Sequence, residues 1–118
     1  MASPLPLLAL GLGAVLTIAG VYVCVSWYLF WNHNFRGQLI TDGPYARVRH
    51  PFYAGFLALA FGVAMVYPIL ETLMLVFFSI AVIYVYVGKE EEYLLQRYGR
   101  EYRKYMARVR WRLIPGVY

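Results

Sequence analysis

Charge is what this sequence has least of. Only 14% of its 118 residues are Asp, Glu, Lys or Arg, against roughly 25% in an average soluble domain, and none of them occurs between Met1 and Phe35. With 62% of the residues hydrophobic, an ordinary water-soluble domain is excluded. Cysteine is reduced to Cys24, which excludes a disulfide framework. The two distant histidines, His33 and His50, do not make a metal site. No Walker loop, GxGxxG turn or Ser-His-Asp arrangement is present, and nucleic acid is a poor partner for so apolar a chain.

What is present is long hydrophobic runs. Leu5 to Trp31 is 27 residues without a charge, Asn or His, longer than the about 20 that span a bilayer as a helix. A secretory signal is the competing reading. It lacks a positive leading segment, and the run exceeds an apolar region of about 7 to 15 residues, so 5–31 is assigned to span one. Trp27, Tyr28, Phe30 and Trp31 crowd its end, where amphipathic rings settle at headgroup depth. Cys24 reads as a small apolar residue within it. Gly11, Gly13 and Gly20 leave room for another helix.

Residues 36–50 contain TDGPYA, the chemistry of a turn, and form a loop. Phe52 to Gly88 is then 37 residues with Glu71 as its only charge. As one helix it would measure roughly 55 Å, nearly twice a hydrocarbon core of about 30 Å. The chain therefore turns back, and Pro68 with Glu71 marks the tip. All eleven Lys and Arg residues lie either in the loop (Arg36, Arg47, Arg49) or between Lys89 and Arg112. Three spans put both regions on one side, which the positive-inside rule makes cytoplasmic, with the N-terminus outside.

The predicted fold is an all-α integral membrane protein, a single domain over 1–118. Three transmembrane helices, the last two forming a hairpin over 52–88, are followed by a cytoplasmic segment, 89–118. Glu90 to Tyr98 has no breaker and Gly99 suits a helix end. REYRKYMARVRWR then has Tyr102, Tyr105, Met106 and Val109 at helical spacing, a basic amphipathic helix for an anionic leaflet. The bilayer itself is the first partner.

A hairpin brings its two open ends to one membrane face. Arg49, His50 and Pro51 must meet Lys89, Glu90, Glu91 and Glu92 there. Pro51 fits the first turn of a helix and pushes His50 toward a cap-like conformation. Free N–H groups, the positive helix end and Arg49 together suit a carboxylate or phosphate. Glu90 and Glu91 are about 100° apart around their helix, so by default they do not share a partner, whereas Glu91 and Leu94 share a face. A zwitterionic amino acid joined to a ribose has groups to match both sides, and S-adenosylmethionine is one such molecule.

The ordered set Arg49-His50-Pro51-x-Tyr53-x-Gly55, then Glu90-Glu91-x-x-Leu94-x-x-x-Tyr98-Gly99-x-x-Tyr102-x-x-Tyr105, then Arg108-Val109 and Pro115, resembles a known family. It is similar to the C-terminal half of isoprenylcysteine carboxyl methyltransferases and the related phospholipid methyltransferases, over roughly 43–115. The resemblance implies an S-adenosylmethionine pocket built from Arg49, His50, Tyr53, Gly55, Glu90, Glu91 and Leu94. It implies that Arg108 approaches a hydrophobic methyl acceptor. Glu91 would take the proton of an amine acceptor, whereas a carboxylate acceptor needs no base. Tyr98 stands where the family more often has Phe. The chain is shorter than the family's usual length, so the lipid-side wall of an acceptor tunnel is expected either from a second copy, as a homo-oligomer, or not to be needed. Two other readings stay open: a sterol-reductase-like enzyme using NADPH, whose tail resembles YGREYRKY…RLIPGVY, and a small non-enzymatic membrane subunit.

Overall fold

The computed structural model describes residues 5–118 and is helical throughout its regular parts. Helix α1 spans Leu5–Asn34, α2 Pro51–Val66, α3 Leu70–Tyr98 and α4 Arg100–Arg108, with one 3-10 turn at Gly43–Ala46 in the first loop. Two of these helices, α1 and α3, are long and apolar enough to cross a membrane. At 30 and 29 residues they measure roughly 45 Å each. The third expected span is not established by length: α2 has 16 residues, roughly 24 Å. Large side chains such as Phe77 and Tyr84 are 70% and 66% exposed, an arrangement suited to lipid and not to water.

Glycine holds α1 against α2. A Cβ on Gly62 would stand 2.5 Å from the Thr17 amide nitrogen and 2.7 Å from the Gly13 carbonyl oxygen. On Gly20 it would stand 2.5 Å from the Leu59 nitrogen and 2.7 Å from the Gly55 carbonyl oxygen. Gly13 thus faces Gly62, and Gly20 faces Gly55, in an antiparallel pair whose backbones touch. This seam is by far the most extensive helix contact, and α2 packs less extensively on α3.

The hairpin turn follows from its sequence. Val66 ends α2, the Tyr67 N–H donates to Val63 O (2.9 Å), and Pro68 cannot continue a helix. The Thr72 hydroxyl accepts the Ile69 N–H (3.1 Å) and donates back to Tyr67 O (2.7 Å), tying the turn to the start of α3. From there α3 runs unbroken past its last apolar residues to Tyr98, and Gly99 at φ +54° ends it.

The basic helix differs from its sequence reading. It is helical for nine residues only, and its aromatic face is turned inward: Tyr102 and Tyr105 are buried, leaving Arg103 and Lys104 exposed. Aromatic rings that would have met the leaflet are instead covered by the loop and α3.

Candidate functional site

His50 sits at the N-cap of α2 with Pro51 in the first turn. Its backbone is non-helical (φ −131°, ψ 68°) and its side chain makes no capping bond, so the imidazole is free to cross to α3. There it engages both adjacent carboxylates, with Nε2 3.0 Å from Glu91 Oε2 and Nδ1 3.6 Å from Glu90 Oε2. The helical offset of Glu90 and Glu91 is bridged because the ring stands between them. A carboxylate near each ring nitrogen favours the charged imidazolium.

Glu91 is the centre of the cluster. Arg49 Nε lies 2.7 Å from Oε2, Arg112 Nε 2.9 Å from Oε1, and the Tyr102 hydroxyl 3.5 Å from Oε2. The Arg49 Nε–H is not aligned with that oxygen and has no directed acceptor, so the contact is coulombic; NH2 donates to Oε1 at 3.4 Å. Three cations thus surround one carboxylate whose side chain is 4% exposed. Glu90 is different. Its side chain is 45% exposed, and its Oε1 accepts the Tyr53 hydroxyl at 2.5 Å.

Residues 89–98 carry α3 beyond its apolar stretch, so these groups titrate outside the membrane span. Burial alone would raise the Glu91 pKa, but the His50 bond and the charges of Arg49, His50 and Arg112 hold it below the usual carboxylate range. Burial likewise opposes ionisation of Glu90, and bonds from His50 and Tyr53 outweigh it, lowering its pKa. For His50, burial pushes the pKa down, yet the bonds and charges of Glu90 and Glu91 raise it overall.

Beside the cluster lies a cavity of about 550 Å³, within the roughly 300 to 1,000 Å³ of small-molecule sites. Its walls are aromatic. Trp27 and Trp31 come from the end of α1, Phe35 and Tyr45 from the loop after it, Tyr53 from α2, and Tyr93 and Tyr98 from α3. Trp31 stacks on Phe35 with centroids 4.2 Å apart. The Trp27 indole N–H donates to the Tyr45 hydroxyl (2.6 Å), and Tyr105 donates to Tyr45 O (2.6 Å), so the loop is fastened to both α1 and α4. Glu90 is the acidic residue on this wall.

Of the residues singled out in the sequence, Arg49, His50, Tyr53, Glu90 and Leu94 line the cavity. Glu91, Gly55 and Arg108 do not. Glu91 lies behind the wall in its ion cluster. Gly55 faces α1, where a Cβ would meet Val23 Cγ1 at 2.8 Å; its need is close helix approach, not a ligand. Arg108 is exposed and donates to Thr41 O at 3.3 Å. Arg112 was missed, as were the wall aromatics Trp27, Trp31 and Tyr45. The aromatic crowding at the end of span one was a visible signal for the tryptophans, whereas nothing in RVRWRLIP distinguishes Arg112 from its neighbours.

The profile of the phospholipid methyltransferases matches residues 2–101, most of the chain. The chain belongs to that family. Methanethiol S-methyltransferase 1 of Bradyrhizobium diazoefficiens is 34% identical to it over 115 residues, covering 87% of this chain and 39% of that protein. A delta(14)-sterol reductase of Mus musculus is 35% identical over 83 residues, 69% of this chain and 20% of the reductase. Protein-S-isoprenylcysteine O-methyltransferase B of Arabidopsis thaliana is 33% identical over 75 residues, 61% and 37% of the two chains. This member of the phospholipid methyltransferase family therefore spans well under half the length of each of these relatives. The match ends at Glu101, so Tyr102 and Arg112, which complete the shell around Glu91, lie outside it.

Proposed function

We propose that the chain is an S-adenosylmethionine-dependent methyltransferase acting on a membrane-borne acceptor, with the aromatic cavity holding the methyl donor at the cytoplasmic face. In this reading α1, α2 and α3 all cross the bilayer, the N-terminus is outside, and 89–118 is cytoplasmic. The short α2 is accommodated by local thinning. The observation that carries the reading is a half-exposed, braced carboxylate, Glu90, on the wall of an aromatic cavity at the membrane boundary.

The residues present fit such a donor. S-adenosylmethionine, when bound, supplies a methyl group already activated by a sulfonium charge. Aromatic faces such as those of Trp31 and Tyr45 suit a purine ring and a cationic centre. Glu90 suits ribose hydroxyls or an ammonium group, held by Tyr53 and His50. Arg49 and His50, expected to meet the donor's carboxylate, are committed to Glu91 and Glu90 and act as braces for the wall. What this chain must do is orientation and water exclusion, bringing reacting atoms to about 3 to 3.5 Å. Of the two acids only Glu90 reaches the cavity, and its lowered pKa makes it a weak base, so an acceptor that is already ionised suits the site best.

An apolar groove of about 320 Å³ between α2 and α3, lined by Phe56, Phe78, Val82 and Ile83, shares Phe52 and Tyr53 with the cavity. That continuity supports an acceptor approaching from the bilayer. The similarity to a sterol reductase favours an NADPH enzyme as the second reading. Against it, the cations on the described cavity wall, Arg49 and His50, are both paired with carboxylates, leaving a phosphate-rich cofactor poorly matched.

Calorimetry on purified protein with S-adenosylhomocysteine and with NADPH tests this directly. The expected result is binding of the first only, followed by transfer of label from S-[methyl-14C]-adenosylmethionine into a total lipid extract. Binding of NADPH alone would establish the reductase. Neither ligand binding to folded protein would leave a non-enzymatic subunit, and label entering water-soluble acceptors in preference to lipid would overturn the membrane-borne acceptor.

A further inference from the structure

We propose that Arg112, on the C-terminal tail, is a positioning residue that holds Glu91, and through it His50 and Glu90, in the arrangement the cavity requires. The inference rests on the reading of that cavity as the donor site. Arg112 does not line the cavity. It acts from behind, and four observations converge on it.

First, its backbone joins the tail to the start of α2. The His50 N–H donates to Arg112 O at 2.9 Å, and the neighbouring Arg49 N–H donates to Trp111 O at 2.8 Å. These amides precede a helix and have no partner within it. Second, its side chain reaches α3, with Nε 2.9 Å from Glu91 Oε1. One residue therefore ties both open ends of the hairpin together. Third, it is itself fixed: NH1 donates to the Tyr118 hydroxyl at 3.0 Å and the guanidinium lies 5.6 Å from that ring's centroid. Fourth, the next residue, Leu113, is buried against Ile83 and Val87, which anchors the tail on the hairpin.

The two oxygens of Glu91 show why this matters. Oε2 is crowded by Arg49 Nε at 2.7 Å, His50 Nε2 at 3.0 Å and Tyr102 OH at 3.5 Å. Oε1 has Arg112 at 2.9 Å and a longer contact from Arg49 NH2 at 3.4 Å. Arg112 is thus the closest cation to Oε1, and its charge opposes the rotation that would carry that oxygen toward Arg49. With Oε1 held, Oε2 stays on the imidazole, and the other ring nitrogen stays on Glu90. Removing Arg112 lets the carboxylate turn toward Arg49 and frees the imidazole from its seat. The ionisable groups facing His50 are Glu90 and Glu91 from α3, Arg49 beside it, Tyr53 from α2, Tyr102 from α4 through Glu91, and Arg112 from the tail.

The test uses full-length protein in detergent on a His33→Asn background, which leaves His50 as the single histidine. Two readouts are taken: the 15N-imidazole titration of His50 and calorimetric affinity for S-adenosylhomocysteine. In Arg112→Gln the imidazole leaves its seat between the two carboxylates that raise its pKa, so the His50 midpoint falls, and affinity falls roughly ten- to a hundredfold. In Arg112→Lys the charge remains but one amine cannot reach both Glu91 and Tyr118. The midpoint then stays at the parent value while affinity falls several-fold. If Arg112→Gln does not fold, Arg112→Lys carries the test by its affinity alone.

A His50 midpoint that stays or rises in Arg112→Gln, or unchanged affinity in Arg112→Lys, overturns the proposal. Failure of the parent protein to bind S-adenosylhomocysteine refutes the donor-site reading instead. The His50 titration does not need that ligand and still reports whether Arg112 holds the cluster.

Discussion

Exchanging Glu90 and Glu91 for glutamine, one at a time, should separate two neighbouring carboxylates into a structural one and a functional one. Glu91 is enclosed by Arg49, Arg112 and His50 at 2.7, 2.9 and 3.0 Å. In Glu91→Gln the Arg49 guanidinium, only 8% exposed, keeps its burial and loses its counter-charge. Breaking a buried pair in this way costs about 3 to 5 kcal/mol, a large share of a total stability of about 5 to 15 kcal/mol. The melting temperature should fall by about 10 °C or more. Glu90 is 45% exposed, and solvent screening limits the same change there to about 1 kcal/mol or less. Yet Glu90→Gln removes the carboxylate from the cavity wall. Loss of a charged hydrogen bond worth about 1.5 to 3 kcal/mol lowers S-adenosylhomocysteine affinity by roughly ten- to a hundredfold. Circular dichroism melts and calorimetry in the same detergent read both quantities. A Glu91→Gln protein that melts with wild type, or a Glu90→Gln protein that binds like wild type, would refute the assignment.

Gly62→Ala places a methyl 2.5 Å from the Thr17 amide nitrogen; since backbone cannot swing aside, α1 must shift, at roughly 1 to 3 kcal/mol, whereas Gly11→Ala, with nothing within 4 Å, should melt within about 0.5 kcal/mol of wild type. Equal melts for the two would mean the glycine seam is not there. The pH dependence follows from the shifts at the cluster. His50 has a raised folded pKa, so its contribution is complete below the unfolded value of about 6.5 and disappears as pH rises through the folded one; Glu90 and Glu91 have lowered folded values, so theirs is complete above about 4.3 and disappears as pH falls. Thermal stability should therefore peak between about pH 4.3 and 6.5 and decline toward pH 9, with the decline flattened in His50→Asn; a melt that rises over that range contradicts the imidazolium bridge. Arg108→Ala, at an exposed side chain that donates to Thr41 O and lies over the Tyr105 ring, should leave both melt and S-adenosylhomocysteine affinity near wild type, and a tenfold loss of affinity would return Arg108 to the site.

The hairpin and its meeting ends were legible because they follow from length and polarity. A 37-residue apolar run exceeds any hydrocarbon thickness, and Pro68 is the breaker near its middle, so Arg49–Pro51 had to come back beside Glu90 and Glu91. The non-helical state of His50 was legible from Pro51 alone. Gly55 was read as part of the ligand pocket, although a packing signal was available. Gly13 and Gly20 are seven residues apart, and so are Gly55 and Gly62; two equal spacings on antiparallel helices let both pairs meet. Which of two adjacent glutamates turns inward could not be read from azimuth alone. It depends on Arg112, whose approach is set by tail hydrogen bonds and by Leu113 finding Ile83 and Val87, contacts with no local pattern.

The adjacency of Glu90 and Glu91 then has a physical explanation. Three cations converge where α2 and α3 meet, and a single carboxylate there would either be shared among them or be drawn out toward the cavity. With two, the inner one saturates the arginines and becomes a fixed point, while the outer one keeps an exposed face. His50 couples them because Pro51 stops α2 from absorbing it and leaves its ring between the two acids. Burial of Glu91 is thus the condition for Glu90 to be both ionised and immobile on the cavity wall, where an unbraced carboxylate would turn to water. A preoriented charge beside aromatic walls is what recognition of a cationic donor requires, and the tail that supplies Arg112 lies wholly outside the segment matched by the family profile.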